Sequence, residues 1–249
     1  MEQQQWDRCA EVYHEEVVSP FTKGVENPLF AEIKKIKHKS EKNVAEFGCG
    51  FFNLGETLAK SFKDVYASDF SSKMIKIAKE KNGHHYNVSI IQEDLRTMQH
   101  QNKFDVVISV NSLLMPSSVD IRKALSNIYS SIKPYGDIFL IVPSMEAVLY
   151  HGLLLFEKEL NNKPESVAKR VAKIKFEKKK YDLFLGHYKD GKDVQKLFYK
   201  HEIKFLLQKA GFNDISFDKV KYPWRKDVSS YEDFPNEEPM WDWFVKAKK

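Results

Sequence analysis

Residues 44–55 read VAEFGCGFFNLG: an apolar run, a bend built on Gly48 and Gly50, and the start of a helical stretch. A strand that turns through glycines into a helix brings bare main chain close to a ligand, because no Cβ stands in the way. Its N–H groups also favour an anion at the helix start. A dinucleotide fingerprint would place a third glycine at position 53, where the chain has Asn53. Glycine pairs after strands also occur as plain tight turns.

The pattern around this stretch alternates. Apolar runs at 43–47, 64–68, 87–92, 104–110 and 137–142 are separated by helical spacing at 53–62, 71–82 and 118–132. Strands apolar on both faces, with helices between them, predict an α/β fold whose mostly parallel sheet is doubly wound. Ligands of such sheets lie beyond the carboxyl ends of the strands. Asn53 and Glu56 have capping-box spacing, and Ser71 or Ser72 can start the next helix. KPYGD (133–137) is expected to end a helix and turn into the fifth strand through Gly136.

Residues 145–198 interrupt this alternation. Two helices are predicted at 144–160 and 164–180, the second with Val167, Val171 and Ile174 on one face, followed by a strand and turn at 181–191. The alternation then resumes with a helix at 200–210 stopped by Gly211, a strand at 213–222, an aromatic-rich loop and the closing run WFVKAKK. The expected organisation is an N-terminal helical lid (1–40) and one domain (41–249) with 145–198 as a lid or insertion.

The 249 residues are 42% hydrophobic and 30% charged, which suits one large folded domain. Net charge is +5, but residues 151–205 carry 14 Lys/Arg against 8 Asp/Glu, so the basic character sits in one segment. The two cysteines, Cys9 and Cys49, lack metal-ligand spacing, so neither a metal site nor a disulfide framework is expected, and a reducing compartment fits. The first residues carry acids and no apolar signal core, and no apolar run spans a bilayer. A cytoplasmic location is expected.

Acids at strand ends sharpen the ligand class. Asp69 ends the second strand 19 residues past Gly50, where a carboxylate can accept both ribose hydroxyls. Asp94, after the third strand, can accept from an adenine amino group. Asp69 can equally cap a helix, and Asp94 can be a plain loop acid. Glu46 lies inside an apolar strand, where burying a carboxylate is costly unless a cation meets it. The α-amino group of an amino-acid cofactor is such a cation.

With these residues in place, the chain resembles the class I S-adenosylmethionine-dependent methyltransferases. The resemblance rests on VAEFGCG (44–50), YASDFSSKMIKIAKE (66–80), QEDLRTM (92–98), FDVVISVNSLL (104–114), IKPYGDIFLIVPS (132–144), LLQKAGFNDISF (206–217) and WFVKAKK (243–249). It implies a seven-stranded Rossmann-like sheet, S-adenosylmethionine as cofactor and S-adenosylhomocysteine as product. It further implies that Glu46 meets the methionine amino group, while Gly48 and Gly50 admit the methionine part. Asp69 would hold the ribose, Phe70 would lie beside the adenine, and Asp94 and Leu95 would meet its edge. Ser109, Val110 and Asn111 would lie near the sulfonium and acceptor. One position departs from the family: Phe52 stands where a third small residue is usual, so a bulky ring is expected to narrow or redirect the loop.

Methyl transfer needs in-line positioning more than acid–base chemistry, so no catalytic residue is assigned. Around the acceptor, Tyr13 and His14 of an N-terminal helix (6–21), His151 of the insertion and Trp224 of the aromatic loop are candidates. A small-molecule acceptor is expected, with no membrane partner. RNA modification through the basic insertion, a non-catalytic cofactor binder and a nicotinamide-dependent oxidoreductase are the alternatives, the last opposed by Asn53 and Glu46.

Overall fold

The computed structural model describes residues 19–224 and 233–249. Tyr13 and His14, with most of the expected N-terminal helix, lie outside the described residues. The sheet has seven strands in the order β3-β2-β1-β4-β5-β10-β9. They are β1 (Asn43–Phe47), β2 (Asp64–Asp69), β3 (Val88–Gln92), β4 (Phe104–Val110), β5 (Ile132–Pro143), β9 (Asn213–Tyr222) and β10 (Met240–Lys248). The first five pair in parallel. β10 runs antiparallel between β5 and β9.

Two apolar cores explain the layering. Successive strand residues face opposite sides, so Val44, Val106 and Ile108 face one core, while Ala45, Phe47 and Val107 face the other. α1 (Leu29–Lys35), α2 (Gly55–Ala59) and α3 (Ser72–Asn82) cover the first through Leu29, Leu58 and Ile75. α4 (Ser118–Ser131) and α7 (Lys200–Ala210) cover the second through Ile121, Leu125 and Leu206. Helices on both faces force the continuous apolar strands read in the sequence.

Local chemistry fixes most boundaries. The Ser71 hydroxyl accepts from Met74 N–H and starts α3, and Ser117 does the same for α4. Gly211 stops α7 at φ 110. The Asn53–Glu56 capping box does not form. Phe52 enters the left-handed region at φ 55, its N–H donates to Cys49 O, and Gly55 N–H donates to Phe52 O. This delays the helix to Gly55, with no side-chain cap. At 133–137 the positive φ falls on Tyr135 (63°) rather than Gly136. Gly136 is required instead by crowding, since a Cβ there would stand 2.8 Å from Asp105 O.

The insertion forms α5 (Met145–Leu160), α6 (Glu165–Lys175) and a three-stranded sheet of β6 (Tyr181–Asp182), β7 (His187–Asp190) and β8 (Asp193–Lys196). α6 ends earlier than its periodicity suggests, because Phe176 leads into Glu177 at φ 49. Its packed face also differs from the expected one. Ala168 and Ala172 are buried against α5, whereas Ile174 is 71% exposed. Small residues allow close helix approach, which the larger apolar side chains would prevent.

The hairpin of β7 and β8 is fastened to the main sheet. Phe198 N–H donates to Pro143 O of β5 (2.8 Å) and Lys196 N–H to Leu114 O in the loop after β4 (3.0 Å), while Leu197 N–H donates to Gly186 O within the insertion (2.7 Å). The Lys196 ammonium is 2% exposed and donates to Leu185 O at 2.6 Å and Glu202 at 2.8 Å. An enclosed ammonium needs such partners. Gly186, at φ 64, has no room for a Cβ, which would stand 2.3 Å from Leu197 O.

Candidate cofactor and acceptor site

The carboxyl ends of β1, β2, β3 and β4 surround a cleft of about 780 Å³, including its open mouth. Gly48, Gly50, Asp69, Phe70, Asp94, Leu95, Val110 and Asn111 line it, so eight of the expected cofactor residues share one wall. Met74, Glu93, Arg96, Ser112, Leu114 and Met115 also line it. Met74 could have been found three residues beyond the Ser71 cap, and Glu93 and Arg96 lie close to the quoted acid; Ser112, Leu114 and Met115 belong to the rim NSLLMPSS (111–118) that follows the fourth strand.

The bend is built from both glycines. Gly48 and Gly50 have φ 68 and 52, which other L-residues rarely adopt. Asp69 clamps the bend: Gly50 N–H donates to one carboxylate oxygen (3.0 Å) and Ser71 N–H to the other (2.9 Å). Cys49 N–H donates to Ser68 O, and Phe52 and Gly55 N–H groups bond within the turn. Four main-chain donors of the bend, at Cys49, Gly50, Phe52 and Gly55, are therefore engaged internally, and α2 is only five residues long. This bend suits a ligand without a phosphate at that point. The Phe52 ring is fully buried in the core with Leu54 and Leu58, away from the cleft. A Cβ at Gly50 would meet nothing within 4 Å, so there is open space beside it.

Charge inside the site is negative. Glu46 is 1% exposed, and its Oε2 has no hydrogen-bond partner. Burial, joined by the negative charge of Asp69, pushes its pKa up to about 8. The Cys49 thiol is raised by burial, Asp69 and Glu46. Burial also acts to raise Asp94, but hydrogen bonds and charge from Arg96 outweigh it and hold the carboxyl below its usual range. Arg96 Nε and Nη2 grip Asp94 at 2.6–3.0 Å. Glu93 accepts from Tyr66 OH at 3.3 Å and lies 3.1 Å from His100 Nε2.

Four of the remaining expected residues, Glu46, Ser109, His151 and Trp224, are not among those that line the cleft. Ser109 is buried beneath the rim, its hydroxyl bonded to that of Ser112. His151 and Trp224 pack with Phe234 beside α5, at ring separations of 5.6–6.3 Å, and are not among the lining residues. Trp224 Nε1 donates to Glu237 O there. Aromatic mass near Phe234 accounts for their placement without a ligand.

Buried polar atoms without partners test whether the donor fits. Among the described residues there are five, and three surround the bend: Glu46 Oε2, Ser68 Oγ and Asn111 Oδ1. Orphans are rare in native proteins. Acceptors beside a glycine bend suit a ligand that brings an ammonium and hydroxyl groups. S-adenosylmethionine carries both and no phosphate, so the residues fit it.

A pH prediction follows from Glu46. Its folded pKa lies near 8 and its ordinary value at 4.5. Between these values the folded chain binds more protons than the unfolded chain, so stability falls as pH rises through that window. Melting curves of the ligand-free protein should decline from about pH 5 to about 8, and Glu46→Gln should flatten the decline. Equal slopes in both proteins would refute the assignment.

Comparison with known proteins agrees with this geometry. Residues 44–136 match the family described as a methyltransferase domain. The chain is 30% identical over 101 residues to phosphoethanolamine N-methyltransferase of Triticum aestivum, covering 39% of this chain and 20% of that protein. It is 29% identical over 100 residues to malonyl-(acyl-carrier protein) O-methyltransferase 1 of Ilyobacter polytropus, covering 39% and 36%. The matched segment thus spans between a fifth and about a third of these relatives' length. In structure the chain is similar to magnesium protoporphyrin IX methyltransferase of Synechocystis with bound S-adenosylhomocysteine. That similarity has a TM-score of 0.57 at 16% identity, covering 99% of this chain and 83% of that one. The fold is the Rossmann-like one of the methyltransferases it is similar to. Residues 44–136 thus match a methyltransferase domain, and the sheet has the fold of the S-adenosylmethionine-dependent methyltransferases that the chain is similar to. No helix among the described residues is long and apolar enough to cross a membrane.

Proposed function

We propose that the protein catalyses methyl transfer from S-adenosylmethionine to a small-molecule acceptor in a reducing, cytoplasmic compartment. The carrying observation is the cleft where Asp69 and Asp94, at the tips of neighbouring strands, line the wall with Gly48 and Gly50, whose bend holds buried Glu46 beside it. Glu46 takes the donor's ammonium, Asp69 the ribose hydroxyls, and Asp94 with Leu95 the adenine edge beside Phe70. When bound, the sulfonium supplies an electrophilic methyl group. The chain's part is to hold the acceptor in line and exclude water.

Residues 145–198 form the acceptor-side cover in this proposal, helped by residues 1–40. Its support is the bond from Lys196 to the rim residue Leu114. Use of the insertion for RNA is the second reading, favoured by exposed Lys169, Arg170 and Lys173 on α6. Several of the segment's cations are engaged: Lys163 and Lys175 with Glu159, Lys180 with Glu177, and Lys196 with Glu202. That leaves fewer for phosphates and favours the small acceptor.

Calorimetry with S-adenosylmethionine and NAD tests the donor. S-adenosylmethionine is expected to bind and NAD to fail. Pairing an ammonium with Glu46 ionises it, so binding near pH 7 should expel close to one proton, seen as heats that vary with buffer ionisation. NAD binding with no response to S-adenosylmethionine would overturn the proposal. Labelled-methyl transfer across an acceptor panel tests the small acceptor, and salt-sensitive binding of bulk tRNA would instead favour RNA.

A further inference from the structure

The insertion carries an apolar surface that the cofactor cleft does not use. Leu149 and Phe156 of α5, Ala172 of α6, Phe176 and Leu183 line an open groove of about 640 Å³, mouth included, and none of them lines the cleft. Gly152 opens it, since a Cβ there would stand 3.2 Å from the Phe176 ring. The apolar surface continues past the groove. Leu153, one turn beyond Leu149, is 52% exposed, and Leu183 leads into exposed Leu185 through Phe184, which is 91% exposed. Lys169 and Lys173, one turn apart on α6, also line the groove. Both are exposed, and among the described residues no acid pairs with either.

The turn that presents Phe184 is fixed. Asp182 Oδ1 accepts from the N–H groups of Phe184 (3.0 Å) and Leu185 (3.1 Å). Tyr199 OH donates to Leu183 O at 2.5 Å, and the enclosed Lys196 ammonium donates to Leu185 O at 2.6 Å. Four hydrogen bonds thus hold a turn whose two apolar side chains stand in water. A fixed turn gives up the freedom to tuck such side chains away, so their exposure points to a medium that covers them.

We infer that this face of the insertion rests on an anionic lipid surface. Phe184 and Leu185 enter the boundary between headgroups and acyl chains, and Lys169 and Lys173 pair with lipid phosphates. Charge and shape together select this occupant. Lysines bordering apolar side chains are the pattern of interfacial attachment, in which apolar burial and attraction to anionic headgroups add. A nucleic acid would use the cations but leave Leu149, Leu153, Phe184 and Leu185 in water. A protein partner would need a pocket shaped to a fixed projecting ring, whereas acyl chains part around it. Attachment of this kind is peripheral and differs from the sequence expectation of no membrane partner. It goes beyond the methyl transfer proposed above and does not depend on it.

Sedimentation of the full chain with vesicles tests the inference. Vesicles of phosphatidylcholine mixed equally with phosphatidylglycerol are expected to bind it at least about tenfold more strongly than phosphatidylcholine alone, and added salt should weaken the binding. Phe184→Ser combined with Leu185→Ser should weaken binding to the mixed vesicles by about tenfold or more. Lys169→Gln combined with Lys173→Gln should do the same and reduce the preference for the anionic lipid. Melting temperatures matching the unmodified protein show that each variant is folded. Failure of the unmodified protein to bind either vesicle, or binding unmoved by either double substitution, would overturn the inference. Bulk tRNA that binds while the mixed vesicles do not would assign the cations to RNA and overturn it as well.

Discussion

Gly48→Ala is expected to abolish measurable donor binding and to destabilise the fold by about 2–5 kcal/mol. Two costs combine. The backbone at φ 68 is unfavourable for alanine, and the new Cβ would stand 2.2 Å from Ser112 Cβ and 3.4 Å from Ser112 Cα. Ser112 is tied to Ser109 under the rim, so relief requires β4 and its following loop to move together. Gly50→Ala is the control. It has similar backbone strain at φ 52, but a Cβ there meets nothing within 4 Å. Its stability loss should stay near 1–2 kcal/mol, with binding weakened because the Cβ enters the ligand's space. Denaturant unfolding and calorimetry separate the two variants. Equal stability of both would show that the contact with Ser112 is readily relieved.

Asp69→Ala should weaken S-adenosylmethionine binding by tenfold or more, about 1.4 kcal/mol. It should also cost about 2 kcal/mol of stability, since Gly50 N–H and Ser71 N–H lose their shared acceptor. The bend and the start of α3 are thus held by the group proposed to grip the ribose. Glu46→Ala is expected to weaken binding as much but with little loss of stability. Glu46 burial is unfavourable without a ligand, and its Oε2 has no partner. A paired comparison of affinity and unfolding midpoint decides the matter. Unchanged affinity in both variants would remove the donor assignments, and an equal stability loss in both would show that Glu46 has a structural partner.

Much of the fold was legible because it depends on burial. The apolar runs from Val44 to Ile141 are continuous where helices cover both faces, and strand ends followed by Asp69 or Asn111 mark the ligand side. Ser71 and Gly211 work through local backbone chemistry and were read correctly. The Asn53 cap was not, because Phe52 turns left-handed to bury its ring, and tertiary packing overrides a capping preference there. The α6 face failed for a similar reason: its neighbour selected Ala168 and Ala172 over larger apolar residues. The bond from Asn111 to Asp242, which also accepts from Tyr222, was invisible, since only strand pairing brings residues from β9 and β10 within reach. Arg96 lay in plain view beside Asp94, yet its bidentate grip depends on a local turn that residue spacing does not encode.

The hydrogen bond from Lys196 to Leu114 couples the insertion to a residue of the cleft wall. Sequence drift in the β6–β8 hairpin can thereby reshape the mouth while the carboxylates at the strand tips stay untouched. On the function proposed above, such a division would let a lineage change its acceptor without rebuilding donor recognition, and residues 181–196 are where that change is expected.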